Sequence, residues 1–182
     1  MEVMTLTAEI SCAEFIEGFV DVPRFLACCA ECRNYGRTWA CPPYDFDPMD
    51  IWHGYSSVLL YAKKVMVPEG ETETEHDPHE LYEAYERLLK PVKRELMDEL
   101  YALEAKNPGS LALSAGGCDY CTECTRGAGL PCRQPERMRY SVESIGGDVL
   151  KCIRELMHEE VLWAENGHLP KHYILLGGLL KK

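Results

Sequence analysis

Four cysteines stand close together in the segment GGCDYCTECTRGAGLPCRQPE, which spans Gly116–Glu136. Cys118, Cys121 and Cys124 follow one another at a spacing of three, and Cys132 comes eight residues later. Glycine and proline interrupt the segment, so it cannot continue as a long helix or as a central strand. We expect a tight loop whose four thiols converge on one centre, and we refer to these four cysteines as the second block.

Two kinds of metal site compete for this loop. Zinc is usually held by two separated Cys-x-x-Cys pairs, which together form a tetrahedron. Three cysteines at a spacing of three, followed by a fourth, are typical of iron–sulfur ligation, in which each thiolate binds a different iron of a cube. The bacterial ferredoxin pattern has proline after its last cysteine, whereas Pro131 precedes Cys132 here. We interpret the loop as a [4Fe–4S] site and keep zinc as the alternative.

Composition limits the class of protein and its partners. The 182 residues are expected to form a single cysteine-rich metal-binding domain, residues 1–182. The ten cysteines come without a secretory leader, so metal ligation is expected rather than disulfides, in a cytoplasmic protein. No apolar run is long enough to cross a membrane. The formal net charge of −11 repels phosphate backbones, so no nucleic-acid partner is expected.

A second group of cysteines, here named the first block, lies upstream and contains Cys28, Cys29, Cys32 and Cys41. Cys28 and Cys32 would share one face if the segment that begins at Asp21 were helical throughout. Cys41 opens a Cys-Pro-Pro sequence in a proline-rich loop, which is similar to the cysteine–proline ending of ferredoxins. Either Cys28 or Cys29 is then a spare, and the alternative is that both are small core residues.

Apolar patterns along the chain predict the fold class. We expect an α/β fold: a compact sandwich of about four strands with helices on one or both faces and cysteine-rich loops at the strand ends. The strands are predicted at residues 4–10, 55–68, 110–115 and 172–180.

Helices are predicted between the strands. Asp77, Pro78 and Glu80 have the pattern of an N-cap, a first helical residue and a capping box. Pro91 is expected to kink or split the helix that follows. Further helices or helical turns are predicted over residues 12–20, 21–32, 141–146 and 148–165.

The sequence around both blocks also carries longer motifs. The first block contains Cys-x-x-x-Cys, Tyr-Gly and Cys-Pro-Pro, and the second contains Gly-Gly-Cys, two further cysteines at a spacing of three, Pro-Cys-Arg, Ser-x-Glu and Gly-Asp-Val. These motifs occupy Cys28, Cys32, Tyr35-Gly36, Cys41-Pro42-Pro43, Gly116-Gly117-Cys118, Cys121, Cys124, Pro131-Cys132-Arg133, Ser141, Glu143 and Gly147-Asp148-Val149. In this combination the chain resembles the predicted metal-binding proteins with domain of unknown function 2284, and the resemblance spans residues 28–149.

The resemblance implies a set of seven metal ligands. They are Cys28, Cys32, Cys41, Cys118, Cys121, Cys124 and Cys132. Cys12, Cys29 and Cys152 are extra to the pattern, and Cys152 is expected to be a buried thiol on a helix. We interpret Ser141 and Glu143 as helix-capping residues rather than as catalytic ones.

Counting ligands leads to the functional hypothesis. Four thiolates complete one cubane, whereas three leave one iron of a second cubane open, so we expect one or two [4Fe–4S] clusters in an electron-transfer or redox protein with a redox protein partner. The alternatives are an enzyme that works at the open iron and a zinc-binding structural or metal-handling module. Arginines near the second block would stabilise an anionic cluster or bind a partner; they are Arg126, Arg133, Arg137 and Arg139.

The ligand assignment predicts which cysteines matter for metal content. Replacing Cys121 with alanine removes one corner of a closed cage, so the metal of the second block should be lost. Replacing Cys152 or Cys12 should leave the metal content unchanged. Elemental analysis of the purified variants makes the comparison, and a loss of metal in Cys152→Ala as complete as in Cys121→Ala would show that the assignment is wrong.

Overall fold

The computed structural model describes all residues, 1–182. Its strands are β1 (Val3–Ser11), β2 (Ser57–Met66), β3 (Leu111–Leu113) and β4 (His172–Lys181). They form one antiparallel sheet in the order β1-β2-β4-β3. All four predicted strands are therefore present, and β3 forms the edge of the sheet from which the chain enters the second block.

Helices join the strands and cover both faces of the sheet, which confirms the expected α/β class. The α-helices are α1 (Cys12–Phe19), α2 (Val22–Ala30), α3 (Pro48–His53), α4 (Glu69–Thr72), α5 (Pro78–Lys106) and α6 (Val149–Leu156). Two 3-10 helices span Thr125–Ala128 and Glu143–Ile145.

The long helix α5 covers one face of the sheet. Leu96 and Leu100 of α5 are fully buried and belong to the same core as Leu175 and Leu179 of β4. The two β4 residues are four apart and therefore point to the same face of the strand. The predicted capping box is present at the start of α5, with Asp77 as the N-cap residue.

Gly177 allows α5 to lie close to the sheet. A Cβ atom at this position would lie 2.7 Å from the carbonyl oxygen of Leu113 and 2.8 Å from Cδ1 of Leu100. Glycines inside a strand weaken it. Because β4 lies between β2 and β3 and has ladder partners on both sides, hydrogen bonds from two neighbours offset the flexibility of its glycines.

The opposite face of the sheet is covered by α1, α3 and α6. Phe15, Trp52 and Ile153 are almost completely buried there, and the rings of Phe15 and Trp52 lie 5.0 Å apart. Trp52 Nε1 donates a hydrogen bond of 2.8 Å to the carbonyl oxygen of Ile145. This core therefore fixes the 3-10 helix Glu143–Ile145, which follows the second block.

Pro91 does not divide α5, which runs unbroken for 29 residues. The proline side chain is exposed, while Leu88, Leu89 and Val92 beside it are buried against the sheet. The hydrogen bond that proline removes thus lies on the solvent side, where water can replace it, and burial of the neighbouring leucines keeps the helix together.

The helix predicted over residues 148–165 is too long, because α6 ends at Leu156. His158 has a positive φ of 56°, which takes the chain out of the helical path. Glu159 then pairs with Lys64 of β2, with an Nζ–Oε2 distance of 2.6 Å. Contact with the sheet therefore overrides the helical pattern of the segment.

A search of the helices for a membrane-crossing segment finds none with both the necessary length and the necessary apolar character.

The packing of α5 predicts a large effect of truncating its buried residues. Leu100→Ala should lower the free energy of unfolding by about 2–5 kcal/mol, since it opens a cavity between α5 and the sheet. Leu150→Ala is the control, because Leu150 of α6 is 42% exposed and its loss should change stability by about 0.5 kcal/mol or less. Urea denaturation measures both, and equal losses would contradict the packing described.

Candidate metal centre

The second block lies on a loop that is closed at its base. The backbone N–H of Ser114, directly after β3, donates to the carbonyl oxygen of Tyr140 at 2.8 Å. Ser114 and Ser141 form a parallel bridge. The chain therefore leaves the sheet edge at Ser114 and returns beside it at Tyr140, so the edge strand fixes both ends of the loop.

An ion pair connects the end of the loop to α5. The Arg139 guanidinium donates to the Glu104 carboxylate through Nε at 3.0 Å and through Nη2 at 2.6 Å. Both side chains are less than a fifth exposed. Glu104 also accepts the backbone N–H of Ala112 in β3 at 2.8 Å. Arg139 therefore holds the loop against the fold and is not free to neutralise a cluster.

All four cysteines of the second block line one cavity. The loop therefore brings the four predicted ligands together. Trp39 and Arg133 line the same cavity. Of the four arginines near the block, Arg133 is the one that lines this cavity, while Arg137 lies over the ring of Tyr120 at 4.4 Å.

Hydrogen-bond donors point at the thiols of the second block. The backbone N–H of Gln134 donates to Cys132 Sγ at 3.4 Å, and its side-chain Nε2 donates to Cys121 Sγ at 3.6 Å. Burial raises the pKa of the Cys118 thiol, and a hydrogen bond from the Tyr120 backbone partly opposes this shift. N–H donors stabilise thiolates, so the surroundings suit a ligating form of these cysteines.

The thiols surround the cavity without meeting at a point. No group of three or more histidine, cysteine, aspartate or glutamate residues is close enough to hold a single metal ion. The cavity is also small, about 20 Å³. The loop thus supplies a four-cysteine donor set, but the side chains have to rearrange to ligate any metal.

The first block begins at the end of α2. The expectation that Cys28 and Cys32 share a helical face is wrong, because α2 ends at Ala30 and Cys32 lies in the following turn. The N–H of Cys32 donates to the Cys29 carbonyl at 3.0 Å in this turn. Gly36 then reverses the chain with a φ of 66°, and its N–H donates to the carbonyl of Pro42. The loop thereby brings Cys41 back towards α2.

The thiols of the first block differ in exposure. Cys28 and Cys32 are exposed, whereas Cys29 and Cys41 are partly buried. Burial, together with the nearby Glu143 and the other thiols of the block, raises the pKa of Cys29 to about 11. Burial likewise raises the pKa of Cys41. Both thiols are therefore protonated near neutral pH, and a metal that binds them has to displace their protons.

Arg126 joins the two blocks. Its guanidinium donates to the carbonyl oxygens of Thr38, at 2.8 Å, and of Cys41 and Pro43. The same guanidinium lies 5.3 Å from the ring of Trp39. Trp39 Nε1 in turn donates to a second-block carbonyl, that of Leu130, at 3.0 Å. A side chain from each block therefore binds the backbone of the other.

Gly117 permits a further contact between the blocks. A Cβ atom at Gly117 would lie 2.7 Å from Nδ2 of Asn34 in the first-block loop. The glycine before Cys118 thus serves a close approach of the two loops.

Sequence reasoning missed three residues of the centre: Trp39, Gln134 and Glu143. Glu143 was interpreted as a capping residue, but the hydroxyl that accepts a backbone N–H at this turn belongs to Ser141, which bonds Ser144 at 3.3 Å. Glu143 keeps some exposed surface, yet protein atoms closely surround its carboxyl group, and this burial raises its pKa. The Ser-x-Glu motif was the signal that could have identified it.

The chain also matches the model of a known protein family. The model of the predicted metal-binding protein family DUF2284 matches residues 19–180. The chain belongs to this family. The match takes in both cysteine blocks and Glu143, and it makes this DUF2284 protein a predicted metal-binding protein. No curated protein and no solved structure shows a significant match to the chain.

The contact made by Arg126 predicts a specific loss of stability. Arg126→Met keeps most of the aliphatic stem but removes the hydrogen bonds to the first-block loop, so the free energy of unfolding should fall by about 1.5–3 kcal/mol. Alkylation of Cys41 by iodoacetamide, followed by mass spectrometry, should become faster. Arg37→Met is the control, because Arg37 is exposed. Unchanged Cys41 labelling in Arg126→Met would contradict the role of Arg126.

Proposed function

We propose that this DUF2284 protein is an iron–sulfur protein that transfers electrons to or from a redox protein partner. The observation that carries the proposal is the convergence of Cys118, Cys121, Cys124 and Cys132 on one cavity. In this proposal the second block holds one [4Fe–4S] cluster, and the first block, through Cys28 or Cys29 with Cys32 and Cys41, holds a second.

The arrangement of the thiols supports a cluster over a single ion. A tetrahedral zinc site needs its sulfur atoms about 2.3 Å from one point. The four cysteines instead have the three-plus-one spacing in which each thiolate binds a different iron of a cube, and they line one shared cavity.

The residues around the second block would tune such a cluster. When bound, the cluster supplies one-electron redox chemistry. The donors from Gln134 and Tyr120 would stabilise the ligating thiolates. Arg133 places a positive charge beside them, and Trp39 excludes water from one side. The hydrogen bonds and the charge of Arg133 would favour the more negative, reduced state of the cluster. Trp39 would limit the access of solvent to it.

Zinc is the second candidate, and the size of the cavity favours it. A space of about 20 Å³ holds a single water or ion more readily than a cube of four irons and four sulfides. In that case the protein would be a structural or metal-handling module, since zinc does not change its oxidation state.

An assay of metal and sulfide separates these functions. Protein produced with ample iron and purified without oxygen should be brown, and its broad visible absorption should bleach with dithionite. Iron and acid-labile sulfide should each reach about four per chain for one cluster and about eight for two. The variant Cys152→Ala serves as control and should give the same values. A colourless protein with stoichiometric zinc and no sulfide would refute the proposal.

A further inference from the structure

Arginine is concentrated around the two cysteine blocks. Residues 22–43 and 117–139 make up about a quarter of the chain and contain seven of its ten arginines, four carboxylates and no lysine. Their formal charge is +3, whereas the remaining residues together carry −14. The excess of positive charge therefore lies around the candidate metal centre, in a chain that is acidic elsewhere.

Most of these arginines have no carboxylate partner in the chain. Arginine forms salt bridges at three positions, Arg24, Arg87 and Arg139. The other arginines of the two segments form none, although the chain has 30 carboxylates; they are Arg33, Arg37, Arg126, Arg133 and Arg137. The protein thus leaves the positive charge around the blocks without a counter-charge of its own.

Four of the five are also exposed: Arg33, Arg37, Arg133 and Arg137. The Arg33 guanidinium lies 5.8 Å from the ring of Tyr82, and that of Arg137 lies 4.4 Å from the ring of Tyr120. Contact with an aromatic ring orients a guanidinium but uses none of its N–H donors. These donors remain available to acceptors outside the chain.

The exposed arginines lie on two loops that adjoin each other. Trp39 Nε1 donates to the Leu130 carbonyl at 3.0 Å, and a Cβ atom at Gly117 would lie 2.7 Å from Nδ2 of Asn34. Each loop also exposes an apolar side chain, Tyr35 on one and Leu130 on the other. We name the surface of the two loops the arginine face and define it by Arg33, Tyr35, Arg37, Leu130, Arg133 and Arg137.

The composition of the arginine face suits a protein partner better than a nucleic acid. Arginine and tyrosine are enriched at protein interfaces, whereas lysine is depleted there. Exposed carboxylates also lie among the arginines, namely those of Glu31, Glu123 and Glu136. A continuous phosphate backbone would be repelled by them, because all its charges have the same sign. A protein can place its own charges to match a surface of mixed sign.

We propose that the arginine face is the docking surface for the acidic face of an electron-carrier protein. The choice of partner rests on the proposed electron-transfer function. Arg33 directly follows Cys32, and Arg133 directly follows Cys132, so carboxylates that pair with these arginines bring the carrier beside both blocks. One electron then leaves the reduced carrier and is taken up by the cluster, or the reverse, and no bond is formed or broken.

The charge distribution also selects the orientation of the carrier. The rest of the chain is acidic and repels the same partner, so the arginine face is the side that an acidic carrier can approach most favourably. Salt screens charges at exposed sites, and the association should therefore weaken as the ionic strength rises.

Isothermal titration calorimetry tests the docking surface. The full chain, purified without oxygen, is titrated at low ionic strength with a plant-type [2Fe–2S] ferredoxin, which is an acidic one-electron carrier. We expect binding whose Kd rises when sodium chloride is added. Circular dichroism of every variant confirms that it is folded, which is expected because the replaced side chains are exposed.

Matched double variants assign the binding to the arginine face. Arg33→Gln combined with Arg37→Gln should raise the Kd for ferredoxin about tenfold. Lys106→Gln combined with Arg154→Gln removes the same number of charges from exposed positions outside both segments, and it should change the Kd by less than about twofold. Arg33→Lys combined with Arg37→Lys retains both charges and should recover most of the affinity.

Three results would overturn the docking surface. They are no binding of ferredoxin at low ionic strength, a Kd that does not respond to salt, and equal changes of Kd in the two glutamine double variants. A single-stranded oligouridylate serves as the competing probe. If it binds more tightly than ferredoxin and loses affinity in Arg33→Gln with Arg37→Gln, the arginine face binds nucleic acid and the proposal is wrong.

The calorimetry is independent of the metal assay, so the two proposals can fail separately. A protein with iron and sulfide that does not bind ferredoxin would keep the iron–sulfur function and refute the docking surface. A colourless zinc protein that binds ferredoxin through Arg33 and Arg37 would support the docking surface and refute the electron-transfer function.

Discussion

The hydrogen bonds from the Arg126 guanidinium to backbone carbonyls of the first-block loop connect the two halves of the candidate metal centre. Neither block lies in the hydrophobic core, which is divided between the two faces of the sheet. The loops therefore depend on polar contacts for their relative position. Arginine suits this task because its planar, permanently charged group donates in several directions at once. Trp39 complements it by stacking near Arg126 and donating to Leu130.

The sheet determines where these loops can be. The edge strand β3 is only three residues long, and the chain passes from it directly into the second block. The return at Tyr140 and the ion pair between Arg139 and Glu104 close the loop against β3 and α5. A rigid base thus carries an irregular loop, which is the usual way in which proteins position ligating side chains.

Under the proposed function, metal binding by these cysteines would be coupled to the release of protons. Burial raises the pKa of Cys29, Cys41 and Cys118. These thiols are therefore neutral in the protein without metal, which avoids buried negative charge. A bound cation reverses this preference, because it stabilises the thiolates more than burial destabilises them. Falling pH therefore opposes metal binding.

Local patterns in the sequence determined much of the architecture. The capping box at Asp77 marks the start of α5, the four strands follow from apolar patterning, and the spacing of Cys118, Cys121 and Cys124 indicates one convergent loop. These features depend on neighbours within a few residues. Long-range contacts decided the rest: Pro91 stays inside a helix because the sheet buries its neighbours, and α6 ends early beside a segment that pairs with Lys64. The approach of Glu143 to the first block, across more than 100 residues of chain, exists only after folding, because α2 and the turn that carries Glu143 are far apart in sequence and meet through packing.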